Sequence, residues 1–372
     1  MNIFEKRREN IYDWMARESV ALVMVEDCEG RRDPSLRWLS GQPGDALLFL
    51  SVERKSLLIP WDINMAMLYA QSDTIIPYAD FGRQPIKALV GAAEFFKIPS
   101  SSRIEIPAIT PYPLFLKFVE EATNFDILCR ENGVGKEFEK GRAIKDADEI
   151  LMYRKLSAMT SEIIDLLIKN VLSGKIKTET DAAIFIEIEA RQRGCEGTGF
   201  ETLAAGPGRS FGIHAFPTYT GGAFAVQGLS ILDFGIKYAG YTSDITMTFA
   251  KEPLSKQQEK MLNLVEKAYN LAVSMAYKGT ATRDIAAAVD TYFGKSKKTM
   301  PHGLGHGIGL QAHEAPAIRS RADNEWILEP GMIITLEPGL YDPVQGGCRL
   351  ENDILITETG PEVLTNSKIV RL

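Results

Sequence analysis

The pattern of hydrophobic and polar positions changes period several times along the chain. Residues 3–17 place apolar side chains at helical spacing. The runs that follow, SVALVMV, DALLFLSV, KSLLIPW and DTIIPYAD, are short, aliphatic and partly β-branched, which predicts strands. IKALVGAAEFF and PLFLKFVEEAT return to the helical period, and the strand-like SRIEIPAI and FDILC come after them in turn. This alternation predicts a smaller α/β amino-terminal domain, residues 1–135, with helices covering a sheet. ENGVGKEFEKG is charged and punctuated by glycine from Gly133 to Gly141. The boundary to a second domain, residues 136–372, is expected there.

Beyond that point the pattern becomes pairs of helices followed by pairs of strands. Asp146, with Glu149 three residues later, reads as a capping box that starts a helix ending near Ser173; Thr178 with Asp181 starts another that stops at Gly194. Strand-like segments follow and end in LSILDFGIKYAGYTSDITMTFA, where Ala239-Gly240 separates two arms rich in β-branched and aromatic residues. A tight hairpin is predicted. With a two-residue loop Tyr238 faces Tyr241, Asp233 faces Thr246, and Asp244 faces Gly235. Because side chains alternate faces, Asp233 and Asp244 share one face as diagonal neighbours roughly 7 Å apart. The order then recurs, with a long helix over residues 256–277, a second over 283–293, and strands around GMIITLEPGLY and RLENDILIT. The recurrence is one of element order only. It predicts an α+β fold of two ααββ halves, with a counterpart to the hairpin in the second half.

That counterpart puts Glu337 and Glu351 in apolar strand contexts. Four converging carboxylates repel by roughly 4 kcal/mol per pair at about 4 Å, for an effective dielectric near 20. The cluster must therefore be protonated, expelled to water, or neutralised by a cation. Carboxylates with one imidazole suit Mn²⁺, Fe²⁺, Co²⁺ or Zn²⁺, and four carboxylates carry enough charge to bridge two divalent ions. Of the four histidines, His302, His306 and His313 lie in PHGLGHGIGLQAHE and His214 lies in GRSFGIHAFPTY. The spacing of His302 and His306 does not make a zinc-binding helix, because no glutamate follows the first and glycines alternate through the segment. An extended or irregular path is expected, its glycines allowing close approach of backbone and substrate. Taken singly, each of these residues has an ordinary reading as a solvent-facing strand acid or a loop histidine. Their conjunction is what points to a metal site.

Composition narrows the picture. The 372 residues, 45% hydrophobic, can bury a large core, and a net charge of -7 without a basic patch argues against a nucleic-acid partner. The charged first residues lack the apolar core of a signal peptide, and no apolar run approaches the roughly 18 residues of a membrane span, so a cytoplasmic protein without membrane association is expected. Cys28, Cys129, Cys195 and Cys348 are scattered without metal-type spacing and are expected to be reduced thiols.

The motifs DFG..YAGYTSD, HGLGHGIGL..HE, ITLEPG and CRLEND resemble those of the pita-bread metallopeptidases, the family of prolidase, aminopeptidase P and methionine aminopeptidase, with creatinase as a metal-free cousin. The resemblance runs from about Asp146 to the C-terminus, with a weaker likeness of residues 1–135 to the family's creatinase-like amino-terminal domain. It implies a pita-bread catalytic domain with pseudo-two-fold halves. It also implies two divalent ions, Mn²⁺ first and Co²⁺, Zn²⁺ or Fe²⁺ as alternatives. Carried over, Asp233 chelates one ion, Asp244 and Glu351 bridge both, and His306 and Glu337 complete the other. Glu337 would also take a proton in catalysis, His214, His302 and His313 would line the substrate site, and Arg349 would hold a substrate carboxylate; the alternative for Arg349 is that it pairs with a neighbouring acid to hold its strand.

The implied activity is hydrolysis of the Xaa-Pro bond of a small peptide. A dipeptidase, prolidase, is favoured, with aminopeptidase P as the alternative, and a homodimer is expected. Methionine aminopeptidase is disfavoured because it usually lacks the amino-terminal domain and the arginine two residues before the last ligand. The five intact ligands speak against a creatinase-type hydrolase or a non-catalytic binding module. The sequence departs from the family pattern at Met247, where most members have arginine, and at QGLS, where Gly-Asp is common.

Overall fold

The aliphatic runs of the amino-terminal part form a six-stranded sheet in the order Thr74–Ile75, Lys55–Pro60, Ala46–Ser51, Val20–Asp27, Arg103–Glu105, Asp126–Leu128. Every residue of Ala46–Ser51 is buried, which explains why that strand reads as an unbroken apolar run instead of an alternating one. The computed structural model describes residues 2–372 and divides the chain into a unit ending at Arg142 and a unit running from Ala143 to Leu372.

One local expectation changes. Only Thr74–Ile75 of DTIIPYAD pairs as strand; Pro77, which has no N–H for a ladder, hands the chain to a short 3₁₀ turn, Tyr78–Phe81. The charged segment at which the boundary was expected forms the helix Val134–Ala143. Its first N–H, Val134 N, donates to the buried Glu105 carboxylate at 3.1 Å, and Arg130 neutralises that acid. Glu105, 29 residues upstream, starts this helix, and no local pattern could announce it.

In the second unit both predicted capping boxes are present, at Asp146/Glu149 and Thr178/Asp181. They open the helices Ala147–Leu172 and Glu179–Gln192. The second helix pair is Lys256–Met275 and Thr282–Lys295. Each pair is followed by strands. Strands of the first half, Ile245–Lys251, Gly228–Phe234 and Leu203–Ala205, form a four-stranded sheet with the C-terminal strand Ile369–Arg371 at its edge beside Ile245–Lys251. The second half builds a five-stranded sheet, Glu314–Ile318, Gly305–Gly307, Ile333–Leu336, Asn352–Thr357, Gly360–Val363. An isolated bridge between Thr246 and Glu351 joins them. One core packs the first helix pair against Leu232, Phe234, Met247 and Phe249, and another packs the second pair against Ile334, Leu336 and Ile354. Met247 is fully buried there.

The hairpin has the register read from its turn, with Tyr238 opposite Tyr241 and Asp233 opposite Thr246. Its ladder, however, breaks in the middle. Ile236–Tyr238 and Tyr241–Thr242 join Gly197–Thr198 in a separate three-stranded sheet, while Gly228–Phe234 and Ile245–Lys251 stay in the four-stranded one. At the break Ser243 Oγ accepts from Ile236 N at 3.1 Å, and a Cβ on Gly235 would stand 1.8 Å from Ser243 O. Only glycine fits so close to another backbone. Among the described residues no helix is long and apolar enough to cross a membrane.

Candidate metal centre

The two halves deliver their acids from equivalent places. Asp244 immediately precedes Ile245–Lys251, and Glu351 immediately precedes Asn352–Thr357; Asp233 lies near the end of Gly228–Phe234, and Glu337 follows Ile333–Leu336. Strand ends place carboxylates at the edge of the core, with the bridge between Thr246 and Glu351 holding the halves in register. His306 is the middle residue of Gly305–Gly307, and a Cβ on Gly307 would lie 1.9 Å from Ala315 O, so the strand carrying His306 packs backbone to backbone.

Asp244, His306 and Glu351 each offer a donor atom within 4.8 Å of the other two. His306 Nε2 lies 3.8 Å from Asp244 Oδ2 and 3.6 Å from Glu337 Oε1, which brings the fourth residue to the cluster. Asp233 is held from behind: Arg349 Nη2 donates to its Oδ2 at 2.6 Å, while its Oδ1 is buried without a hydrogen-bond partner. His302 Nδ1 is 3.9 Å from Glu337 Oε2, and its Nε2 is 2.9 Å from Tyr341 Oη. The exposed His313 brings its ring centroid to 4.4 Å from that of His306. His214 is also exposed, on a loop whose Ile213 carbonyl accepts from Arg349 Nη1 at 3.0 Å.

Arg349 is 2% exposed and commits four hydrogen bonds to protein acceptors: Thr246 Oγ1, the Ile213 carbonyl, Tyr341 Oη and Asp233. Its fork is used on an acid of this chain. That is the strand-holding arrangement which the sequence left as the alternative to a substrate contact.

The electrostatics describe a donor set whose charges are in conflict. Burial first, then the charges of Glu351 and Asp233, hold Asp244 well above the ordinary carboxylate range; burial and Glu351 do the same to Glu337. Glu351 is pushed up to about 7 by burial and by Asp233, despite Arg349 and despite hydrogen bonds from Thr246 and Thr335. Burial also raises Asp233 against the pull of Arg349. Burial lowers His302 and His306 to about 4, so both are neutral at physiological pH. His306 Nδ1 faces Gly307 O at 3.1 Å, which assigns the proton to that nitrogen and leaves the Nε2 lone pair toward Asp244 and Glu337. A buried carboxylate oxygen without a partner, a neutral imidazole lone pair and mutually repelling acids together fit divalent cations, whose charge would remove the repulsion.

Sequence reasoning missed three parts of this site. Tyr341 Oη sits between His302 Nε2 and Arg349 Nη1, at 2.9 and 2.8 Å. Thr246, fully buried, donates to Glu351 Oε2 at 2.7 Å and accepts from Arg349 Nε at 2.9 Å. Asp353, also fully buried, accepts from Asp244 N at 3.3 Å, and burial with the charge of Glu351 raises its pKa well above normal. Thr246 was already placed opposite Asp233 by the hairpin count, but nothing in that count showed its hydroxyl facing two charged groups.

Comparison with known proteins adds the following. Residues 152–358 match the family described as metallopeptidase family M24. The chain is 27% identical to the Xaa-Pro dipeptidase of Pyrococcus horikoshii over 376 aligned positions, 99% of each chain. An Xaa-Pro dipeptidase structure from Bacillus anthracis is similar with a TM-score of 0.86 at 24% identity, covering 99% of this chain and 100% of that one. An X-Pro aminopeptidase structure from Thermotoga maritima is similar with a TM-score of 0.83 at 24% identity, covering 98% and 99%. At that identity the two structures speak to the fold alone, and it is the α+β arrangement expected from the sequence.

Proposed function

The chain belongs to metallopeptidase family M24, and from that premise we propose that it is an Xaa-Pro dipeptidase that depends on two divalent metal ions. The observation that carries the reading is the convergence of Asp244, His306 and Glu351 within 4.8 Å, with Glu337 beside them and an unpartnered Asp233 oxygen facing no protein donor. The full-length likeness to a protein named Xaa-Pro dipeptidase supports the choice of substrate.

In this reading Asp233, Asp244, His306, Glu337 and Glu351 would hold the two ions, with Mn²⁺ the first candidate for both. When bound, the ions supply an acidified water and polarise the scissile carbonyl. Glu337, 20% exposed at the edge of the cluster, is the proposed acceptor of the attacking water's proton. His313 is proposed to donate a hydrogen bond to the carbonyl oxygen as its negative charge develops. His302, beside Glu337, is proposed to serve the leaving nitrogen, with Tyr341 fixing its ring. A prolyl nitrogen carries no N–H, so the side of the site that receives it must accept a ring instead of pairing with an amide proton. His214 is proposed to contact the substrate from the solvent side. Arg349 enters as the residue that orients Asp233, with any contact to a terminal carboxylate left to its remaining N–H.

The test is hydrolysis of an Xaa-Pro dipeptide against an Xaa-Pro tripeptide, with Mn²⁺, Co²⁺ and Zn²⁺ each supplied. Preference for the dipeptide is expected. Faster cleavage of the tripeptide would make the protein an Xaa-Pro aminopeptidase, and cleavage of neither would remove the Xaa-Pro assignment.

A further inference from the structure

Glu179 takes no part in the donor set described above, yet its carboxylate is 1% exposed at the first position of the helix Glu179–Gln192. Its two oxygens accept four hydrogen bonds from two points of one loop. Oε1 accepts from Gly206 N at 2.7 Å and Arg209 Nε at 3.1 Å; Oε2 accepts from Thr220 N at 2.7 Å and Thr220 Oγ1 at 2.6 Å. The helix backbone reinforces the second point, with Glu179 N donating to Gly222 O at 2.9 Å and Thr180 N to Thr220 O at 3.0 Å. Arg209 also donates to the Pro217 carbonyl across the loop. One carboxylate thus ties together the two ends of residues 206–220, a segment with no helix or strand of its own. Without such a tie, a loop of that length would sample many paths.

His214 lies in the middle of this loop. Its neighbour Ile213 is bound through its carbonyl to Arg349, the residue that also holds Asp233, and Ser210 Oγ accepts from Gly347 N at 3.0 Å. The middle of the loop therefore takes its register from the strand Gly346–Arg349, and its two ends are joined through Glu179, beside one backbone bond from Ala204 N to Thr218 O at 2.9 Å. His214 stands exposed between these fixed points. Its position is set by the backbone on either side.

We infer that Glu179 is a positioning residue for substrate binding: by stapling the two ends of residues 206–220 it sets where the His214 imidazole stands at the mouth of the metal centre. The activity part of this inference rests on the Xaa-Pro peptidase reading, while the positional part does not. Glu179→Gln keeps the shape of the side chain but leaves one acceptor oxygen and an NH₂ group facing N–H donors, so the tie to one end of the loop is lost.

The experiment has two arms. In Zn²⁺-loaded protein without substrate, the His214 imidazole C–H resonances, identified among four histidines by their loss in His214→Ala, shift or broaden in Glu179→Gln. With an Xaa-Pro dipeptide, Glu179→Gln raises KM by roughly ten-fold and changes kcat by less than about two-fold, and the same substitution made in His214→Ala has no further effect. Thr220→Val, which removes the hydroxyl that donates to Glu179 and accepts from Gly222 N but keeps the Thr220 N–H bond to Glu179, moves both readouts in the same direction and decides the matter if Glu179→Gln does not fold. Unchanged His214 resonances in both variants, or a loss of activity that persists in full in the His214→Ala background, would overturn the inference. A shifted His214 resonance in a protein that hydrolyses no Xaa-Pro peptide supports the positional role and refutes the substrate reading instead.

Discussion

Arg349 joins Asp233 of the acidic cluster to the loop that carries His214, through four hydrogen bonds in a site 2% open to solvent. A lysine keeps the charge but cannot reach Thr246, Ile213, Tyr341 and Asp233 together. Arg349→Lys is therefore expected to reduce kcat/KM for an Xaa-Pro dipeptide and for its amide to the same degree. A defect confined to the dipeptide would show that the guanidinium binds a terminal carboxylate. Removal of the charge in Arg349→Met leaves Asp233 buried and unpaired, which is expected to cost about 3–5 kcal/mol of stability in chemical denaturation. Asp244→Asn and Glu351→Gln act on two of the proposed donors, and each is expected to lower bound metal, by elemental analysis, together with activity. Either variant retaining full activity and full metal content would remove the ligand assignment. Cys348, beside Arg349, is fully buried and its thiol is pushed up to about 12 by burial, so it stays protonated and out of reach of oxidants.

At the scale of elements, the hairpin shows what a turn can and cannot announce. Ala239-Gly240 sets the register, and Asp233 stands opposite Thr246 as counted. The break at Gly235 depends on partners far away in sequence. Thr242 N donates to Gly309 O at 2.9 Å, and Tyr153 Oη donates to Thr242 O at 2.9 Å, so the tip of the hairpin is drawn toward the glycine segment that follows His306. Gly235→Ala would force a Cβ to within 1.8 Å of Ser243 O. It is expected to destabilise the fold by about 1–3 kcal/mol and to weaken metal binding, since Gly235 and Ser243 lie beside Asp233 and Asp244 on the two arms of the hairpin. A variant with unchanged melting temperature and metal affinity would mean that the bend relaxes without disturbing the acids.

At the scale of the whole molecule, the cluster links stability to pH and metal. In metal-free protein a carboxylate with a raised folded pKa binds more protons when folded than when unfolded, so stability falls as pH rises between its ordinary and its raised value. For Glu351 that window runs from 4.5 to about 7, and Asp244 and Glu337, whose burial also raises them, act in the same direction. His302 and His306, lowered from 6.5 to about 4, act in the opposite direction but only below 6.5. Chelated protein is therefore expected to lose melting temperature as pH rises from 6.5 to about 7, and divalent metal is expected to restore most of the loss. If chelated and metal-loaded proteins follow the same pH profile, the acids are not a metal site.

Much of this protein could be read from its chain because the relevant signals are local. Capping boxes at Asp146 and Thr178, the change from helical to strand period, and the Ala239-Gly240 turn each rest on residues a few positions apart, and they placed helices, hairpin register and acids. Glu337 and Glu351 could be nominated because charged residues in apolar strands are costly unless something offsets them, while His306 is singled out among the histidines of its glycine-rich segment only by the family resemblance. What tertiary structure alone decided is every interaction that spans the chain: Glu105 starting the helix at Val134, Tyr341 and Thr246 bracing Arg349, and Glu179 tying residues 206 to 220. A buried carboxylate or hydroxyl takes its meaning from the donors that surround it, and those donors are brought to it only when the chain folds.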